Sequence, residues 1–180
     1  MFPVARPDSI GVGSNEPLAR LLANQSEAIM QTLYRLWVAM VSKLQSPFLL
    51  IIRLYWGWQF FLTGRGKLMN LDGTAHFFAK LHIPMPRLSA VLAGSTECFG
   101  GLLLLLGLGS RIVTVPLIFT MIIAYVTAES DKLHNLFSKP DDFVSAAPFQ
   151  FMLTAIIVLI FGPGIFSLDA LLDRIRGRKS

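Results

Sequence analysis

Two side chains of opposite charge, Arg53 and Glu97, each lie inside an otherwise apolar stretch of the sequence. A charge near the centre of a bilayer costs at least ~2.5–3.5 kcal/mol on insertion scales, so such a residue tends to face protein and find a partner. A buried carboxylate can also accept a proton. The sequence therefore predicts an intramembrane pair of Arg53 and Glu97. The alternative is that Arg53 extends to the membrane surface while Glu97 is protonated or bonded to a hydroxyl group.

Small residues accompany each of these charges at helical spacing. Residues three or four positions apart share one face of a helix, and small residues let two membrane helices approach closely. Each charge should therefore lie at a contact between helices, where a pair could also serve only to hold the bundle in register. The two faces comprise Arg53, Gly57, Phe60 and Gly64, and Ala90, Gly94, Glu97 and Gly101.

Three aromatic residues, Tyr55, Trp56 and Trp58, lie within the first apolar stretch rather than only at its ends. Membrane interfaces explain aromatic rings at the ends of a span, whereas deeper rings could flank a planar ligand such as a quinone. The alternative is that they only pack against neighbouring helices. The candidate ligand-facing residues are Tyr55, Trp56, Gly57, Phe60, Gly94 and Gly101.

Other motifs of chemical interest are incomplete. The segment Gly64-Arg65-Gly66-Lys67 lacks the spacing and the hydroxyl residue of a phosphate-binding loop, so Gly64 and Lys67 are assigned to the outer end of a helix near lipid head groups. The histidines fall between the apolar stretches, so we do not expect an intrinsic haem. Histidine and carboxylate spacing predicts no metal site, and Cys98 can form neither an internal disulfide nor a CxxC pair. The sequence assigns no catalytic residue and no intrinsic cofactor.

The composition indicates which solvent surrounds these residues. Hydrophobic residues make up 53% and charged residues 15% of the 180 residues, against about 45–50% and 25% in soluble domains. A chain in lipid must satisfy its backbone hydrogen bonds internally, and about 20 apolar residues cross a bilayer as a helix. We therefore predict an all-α integral membrane protein, a four-helix transmembrane bundle. The predicted spans are 48–63, 88–109, 112–128 and 143–168.

The basic residues beside these spans predict the orientation of the chain. With four spans, nine lysines and arginines fall on the side of both termini and six on the other side, which favours termini in the cytoplasm of a bacterial inner membrane. The net charge of +5 is thus placed at helix ends that meet lipid head groups. We therefore expect a lipid partner and no nucleic acid.

Segments outside the spans complete the predicted organisation. Residues 1–17 are rich in Pro, Gly, Ser and Asn, so they are predicted to be disordered and do not resemble a signal peptide. Residues 18–46 predict an amphipathic helix in the cytoplasmic interface, with packing on the bundle or on a partner subunit as the alternative. Ser46-Pro47 should separate this helix from the membrane domain 47–172. Residues 173–180 form a basic cytoplasmic tail.

The end of the last span carries a helix-breaking motif. Gly162-Pro163-Gly164 should kink or end the helix. Ser167 can then cap a following helix, with the carboxylate of Asp169 in the first turn, where it suits the helix dipole.

Taken together, these motifs resemble the DoxX family of small bacterial membrane proteins over residues 48–172. No single motif is specific to this family, but the order of the motifs along four spans is specific to it. The resemblance implies a four-helix inner-membrane protein; family members are named after a subunit associated with archaeal quinol oxidase, and relatives have been tied to thiosulfate–quinone oxidoreduction and to complexes handling thiol or oxidative stress. The motifs are Arg53-Leu54, Gly57, Phe60, Gly64-Arg65-Gly66-Lys67-Leu68, Ile83-Pro84, Glu97, Gly100-Gly101, the leucine run to Gly107, Arg111, Pro116, Gly162-Pro163-Gly164, Ser167 and Asp169.

Two functions follow as expectations. The first is a redox-associated subunit that contacts a quinone or an oxidoreductase partner, with Glu97 as proton acceptor, Arg53 as its charge partner, and Tyr55 or Trp56 near the ring. The second is a non-enzymatic membrane scaffold or a module that binds a lipid or a small apolar ligand. Solute transport is a weaker third, since four spans without an inverted repeat are few for a transporter, although a homo-oligomer could supply more. We favour the first.

Overall fold

The computed structural model describes residues 16–177 and, within the first helix, the side chains of Arg20 and of residues from Asn24 onward. This part of the chain contains eight helices and no strand, so the all-α prediction is confirmed. The segment predicted to be disordered lies outside the described residues except for Glu16 and Pro17, which begin the first helix. The helices are α1 (Glu16–Met69), α2 (Leu71–Lys80), α3 (Pro86–Leu106), α4 (Ser110–Ala128), α5 (Ser130–His134), α6 (Pro140–Ser145), α7 (Ala147–Phe161) and α8 (Leu168–Ile175).

The chain divides into two compact units, Met1–Lys43 and Leu44–Ser180. Every described side chain of the first unit is exposed, including large apolar side chains such as those of Leu33 and Trp37. An exposed apolar face is compatible with a helix at a membrane interface. The placement of residues 18–46 at such an interface stays a prediction.

Pro47 lies inside α1, so the helical break expected at Ser46-Pro47 is wrong. A proline removes one backbone donor and crowds one carbonyl, but its fixed φ is itself compatible with a helix. The turns that follow are held by packing, because Leu49 and Arg53 are each only 1% exposed. This packing offsets the local cost of the proline.

Among the residues that the structure describes, three helical segments are long and apolar enough to cross a membrane: Asn24–Met69, Pro86–Leu106 and Ser110–Ala128. The fourth predicted span is shorter than expected, because α7 has 15 residues and is about 22 Å long at 1.5 Å per residue. Its start is delayed because Ala146 is extended and separates α6 from α7. Its end at Gly162, where φ is +79°, confirms the predicted break.

The membrane helices pack around a small apolar core. Helix α4 packs against both α3 and α7, and α2 packs against α3. Gly107 and Gly109, both with positive φ, turn the chain tightly between α3 and α4. The core residues are Phe60, Leu104, Leu117, Met121 and Val158.

Helices α1 and α3 meet at backbone distance through glycines. A Cβ atom on Gly57 would lie 2.8 Å from the backbone nitrogen of Leu105, and one on Gly101 would lie 2.5 Å from that of Phe61. Side chains would not fit at such distances, so glycine is required at both positions. The close helix contact predicted from the small residues is confirmed.

Candidate functional site

The structure separates the two intramembrane charges. Arg53 and Glu97 are both 1% exposed, but the Arg53 guanidinium donates hydrogen bonds to the carbonyl oxygens of Pro163 and of Phe166, the latter at 3.0 Å. The carboxylate of Glu97 instead forms an ion pair with the ammonium group of Lys67. The expected Arg53–Glu97 pair is therefore wrong, although each residue is buried on the face that helical spacing predicted.

The register of the antiparallel α1–α3 contact explains this separation. Gly57 faces Gly101 and Leu105, and Gly64 faces Cys98 and Gly94, so the numbers of facing residues add to about 160. Arg53 is then opposite Gly107, and the position opposite Glu97 is near residue 63. Ten residues of helix rise about 15 Å, which is beyond the reach of an arginine side chain.

Arg53 belongs to a polar cluster at the start of α4, which also includes Asp169. The carboxylate of Asp169 accepts hydrogen bonds from the backbone N–H groups of Gly109, at 2.8 Å, and of Ser110, at 3.1 Å. The backbone N–H of Asp169 donates to the carbonyl oxygen of Gly107 at 3.0 Å. Asp169 thus caps a helix that begins about sixty residues earlier in the chain, as well as lying in the first turn of its own helix.

The remaining structural motif residues support the same end of the bundle. The Ser167 hydroxyl accepts from the backbone N–H of Ala170 at 3.1 Å, which confirms the predicted cap of α8, and donates to the carbonyl of Gly164 at 2.7 Å. Arg111 donates to the carbonyl oxygen of Ile160 at 3.4 Å. The Arg111 contact joins the end of α7 to the first turn of α4, and the Ser167 contacts fix the segment between α7 and α8.

The Lys67–Glu97 ion pair lies on the wall of a cavity of about 890 Å³. Ligand sites of small molecules are typically about 300–1,000 Å³ and mostly apolar, with a few polar groups that orient the ligand. This cavity has that character, because one ion pair faces a lining that is otherwise mainly aliphatic and aromatic. The lining comes from the end of α1, from α2 and the loop after it, and from α3 and α4.

One oxygen of the Glu97 carboxylate is unused. Its Oε1 pairs with Lys67, whereas its Oε2 is buried without a hydrogen-bond partner in the described part of the chain. A buried unsatisfied polar atom is costly, and water or a ligand donor in the cavity would relieve that cost. The Lys67 side chain is 31% exposed and that of Glu97 is 1% exposed, so a ligand in the cavity meets the ammonium group directly, and a small shift of either side chain would bring the free Glu97 oxygen within its reach.

Comparison with known proteins identifies the family. A family model described as DoxX matches residues 48–130. The Bacillus subtilis (strain 168) protein named "Putative oxidoreductase CatD" is 32% identical over 120 residues, which cover 67% of this chain and 83% of that protein. The chain belongs to the DoxX family. The "Inner membrane protein YphA" of Escherichia coli (strain K12) is 31% identical to this DoxX-family protein over 116 residues, covering 61% of the chain and 79% of that relative. No solved structure matches the chain.

The six predicted ligand-facing residues do not line the cavity of this DoxX-family protein. Gly57, Gly94 and Gly101 lie at the α1–α3 contact, and Phe60 is in the apolar core. Trp56 packs edge-on against Phe151, with ring centroids 5.0 Å apart. Tyr55 is 58% exposed. The packing alternative for Trp56 is therefore correct, because the rings on this part of α1 meet helices or the surroundings rather than a cavity.

Lys67 is the site residue that the sequence reasoning missed. It was assigned to lipid head groups, yet it follows Gly64 by three residues and so continues the face that carries Arg53 and Gly57. Extending that face by one turn would have indicated Lys67 as a partner for Glu97. Within residues 16–177, His, Cys, Asp and Glu form no group of three that could hold a metal ion.

Proposed function

We propose that this DoxX-family protein is a redox-associated subunit of the bacterial inner membrane whose cavity binds the ring of a quinone or quinol at the Lys67–Glu97 pair. The observation that carries the proposal is the buried Glu97 carboxylate, with one oxygen unpartnered, on the wall of an apolar cavity. Further support comes from two relatives, one named as an oxidoreductase and one as an inner membrane protein. The distribution of basic residues favours cytoplasmic termini.

The ion pair suits both redox forms of a quinone. The unpartnered oxygen of Glu97 can accept a hydrogen bond from a quinol hydroxyl and can take its proton as the ring is oxidised. The Lys67 ammonium can donate to the carbonyl oxygen of the oxidised ring. Lys67 thus takes the charge-partner role that the sequence assigned to Arg53. Oxidation of a quinol releases two electrons and two protons. In this proposal the electrons pass to an oxidoreductase partner, and Glu97 takes the two protons in turn and passes each to water.

The experiment compares Glu97→Gln with Glu129→Gln after purification from bacterial membranes into lipid nanodiscs. Glu129 is a matched control, because it forms an ion pair with Lys132 at 2.9 Å and does not line the cavity. Quinone is extracted and quantified per protein. A hydrogen bond to a charged group is worth about 1.5–3 kcal/mol, so Glu97→Gln should retain about 10- to 100-fold less quinone than the wild type.

The control variant should retain the wild-type amount of quinone. Equal quinone in Glu97→Gln and in the wild type, or none in either, would refute the proposal.

A second candidate is a non-enzymatic module that binds a lipid in the same cavity. It is favoured by the mainly apolar lining and by the ion pair itself, which joins α1 to α3 and so has a structural use without any reaction. Phospholipid as the sole extracted ligand, together with unchanged cellular quinol oxidation in Glu97→Gln, would support this function instead.

A further inference from the structure

One side of the cavity lies between α2 and α4. Helix α2 packs against α3, and α4 packs against α3 and α7, so α3 forms the floor between two facing walls. Phe77 and Phe78 line the wall on α2, and Phe119 and Ile123 line the wall on α4. A ligand could therefore enter the cavity between α2 and α4 without separating two helices that pack against each other.

The cavity is open to the surroundings rather than enclosed, and several residues that line it are exposed. Phe77 is 49% exposed, Phe119 is 64% exposed and Ile123 is 39% exposed. A side chain that borders both the cavity and the surroundings lies at a mouth. The three side chains define what we call the lateral mouth, and all three are apolar.

The lateral mouth lies at the depth of the lipid chains. Phe119 is nine residues after the start of α4, and Glu97 is nine residues before the end of the antiparallel helix α3. Both are therefore about 14 Å from the α3–α4 turn at 1.5 Å per residue, near the middle of a hydrocarbon core of about 30 Å. Phe119 and the ion pair are at one level, and Ile123 is one turn further along α4, about 20 Å from the turn, so both side chains that α4 gives to the mouth lie within the hydrocarbon core.

We infer that the cavity admits its ligand sideways from the bilayer and that the ligand is a long-tailed amphiphile, with its polar head at Lys67–Glu97 and its tail passing through the lateral mouth into the lipid. The identity of the head as a quinone rests on the proposed function; the route and the tail do not. A tail that leaves at this level stays in hydrocarbon and buries no polar group.

The test is photolabelling of the full chain in nanodiscs of phosphatidylethanolamine and phosphatidylglycerol. The probe is a benzoquinone whose long alkyl tail carries a diazirine a few carbons from the ring, and labelled peptides are quantified by mass spectrometry. Labelling should concentrate on peptides that contain Phe77, Phe119 and Ile123, and excess unlabelled long-tailed quinone should compete it. Phe99 on α3 reports background labelling from the bilayer, because it is 62% exposed and does not line the cavity.

Two tryptophan substitutions on α4 control for occupancy of the mouth. Ala124 lines the cavity, whereas Val115 is 56% exposed and does not. An indole ring at position 124 would occupy part of the cavity, so Ala124→Trp should lower the competed labelling by about tenfold. Val115→Trp should leave it unchanged, and equal labelling in the two variants would overturn the inference.

A phosphatidylcholine probe with the same diazirine tail separates failure of the route from failure of the proposed function. If this probe labels the mouth, loses that labelling in Ala124→Trp and is not displaced by quinone, the lateral route holds and the quinone proposal fails. If the quinone probe binds in a Glu97-dependent way but labels only the loop 81–85, the lateral route is wrong and the proposed function holds. Mouth labelling equal to that of Phe99 with both probes overturns the inference.

Discussion

Replacing Gly64 by alanine adds one methyl group where α1 and α3 approach most closely. Its carbon would lie 2.2 Å from the backbone nitrogen of Cys98 and 2.7 Å from the carbonyl oxygen of Gly94. Favourable contact between heavy atoms begins near 3.5 Å, so the two backbones must separate by roughly 1 Å. Neither neighbour is the end of a flexible side chain, and the strain cannot be relieved by a rotamer change.

Gly66 provides a matched control two residues along the same helix. A Cβ atom there would meet nothing within 4 Å, and alanine is favoured over glycine inside a helix by about 0.5–1 kcal/mol. Gly66→Ala should therefore be neutral or raise the free energy of unfolding by up to that amount. Gly64→Ala gains the same preference but overpacks the contact, which costs about 1–3 kcal/mol or more, so we expect a net loss of about 1–2 kcal/mol.

The two variants are compared by reversible unfolding in mixed detergent micelles, followed by tryptophan fluorescence and far-ultraviolet circular dichroism. Because Lys67 is one turn beyond Gly64, separation of the helices should also reduce quinone retained by Gly64→Ala. If Gly64→Ala is as stable as Gly66→Ala, the backbone contact between α1 and α3 is not as close as the structure has it, and the register derived from it is wrong.

Two further substitutions test the polar cluster at the start of α4 in the same unfolding assay. Arg53→Met leaves the carbonyl groups of Pro163 and Phe166 without the Arg53 donor and should lower the free energy of unfolding by about 1–3 kcal/mol; full stability would show that these hydrogen bonds contribute little. Asp169→Ala removes the cap from two backbone N–H groups and should cost about 0.5–2 kcal/mol. Asp173→Ala, in the same helix but exposed, is the control, and an equal loss there would count against the capping role.

Periodicity predicted which helix faces are buried, but it could not predict how far one helix is shifted along another. The burial of Arg53 and Glu97 and the glycine contact around Gly57 follow from three- and four-residue spacing. Axial register depends on the fit of whole helices. The sequence therefore suggested a pair between Arg53 and Glu97, whereas the position of α1 opposite Glu97 lies about 15 Å along the helix from Arg53. The partner that the structure provides, Lys67, is on the predicted face of α1 but one turn beyond Gly64, where the predicted set of residues ends.

The cavity could not be predicted from local pattern. It forms because α2 packs back against α3 and faces α4 across a gap, and this depends on the loop between α2 and α3 rather than on any single helix. Most of residues 74–81 belong to α2, and an amphipathic pattern by itself indicates only a membrane interface. The break at Gly162 was predictable because glycine and proline act locally.

The capping of α4 by Asp169 has a consequence for how the protein is made. Synthesis proceeds from the amino terminus, so the turn between α3 and α4 leaves the ribosome about sixty residues before the carboxylate that completes it. The Arg53 guanidinium is synthesised earlier still, 110 and 113 residues before the carbonyl groups of Pro163 and Phe166 that it binds. The early helices are thus synthesised before the Arg53 guanidinium and the backbone N–H groups of Gly109 and Ser110 have these hydrogen-bond partners. Only the final segment of the nascent chain supplies them. Formation of these hydrogen bonds is therefore a late step in the biogenesis of this protein, and a chain truncated before residue 163 would lack them.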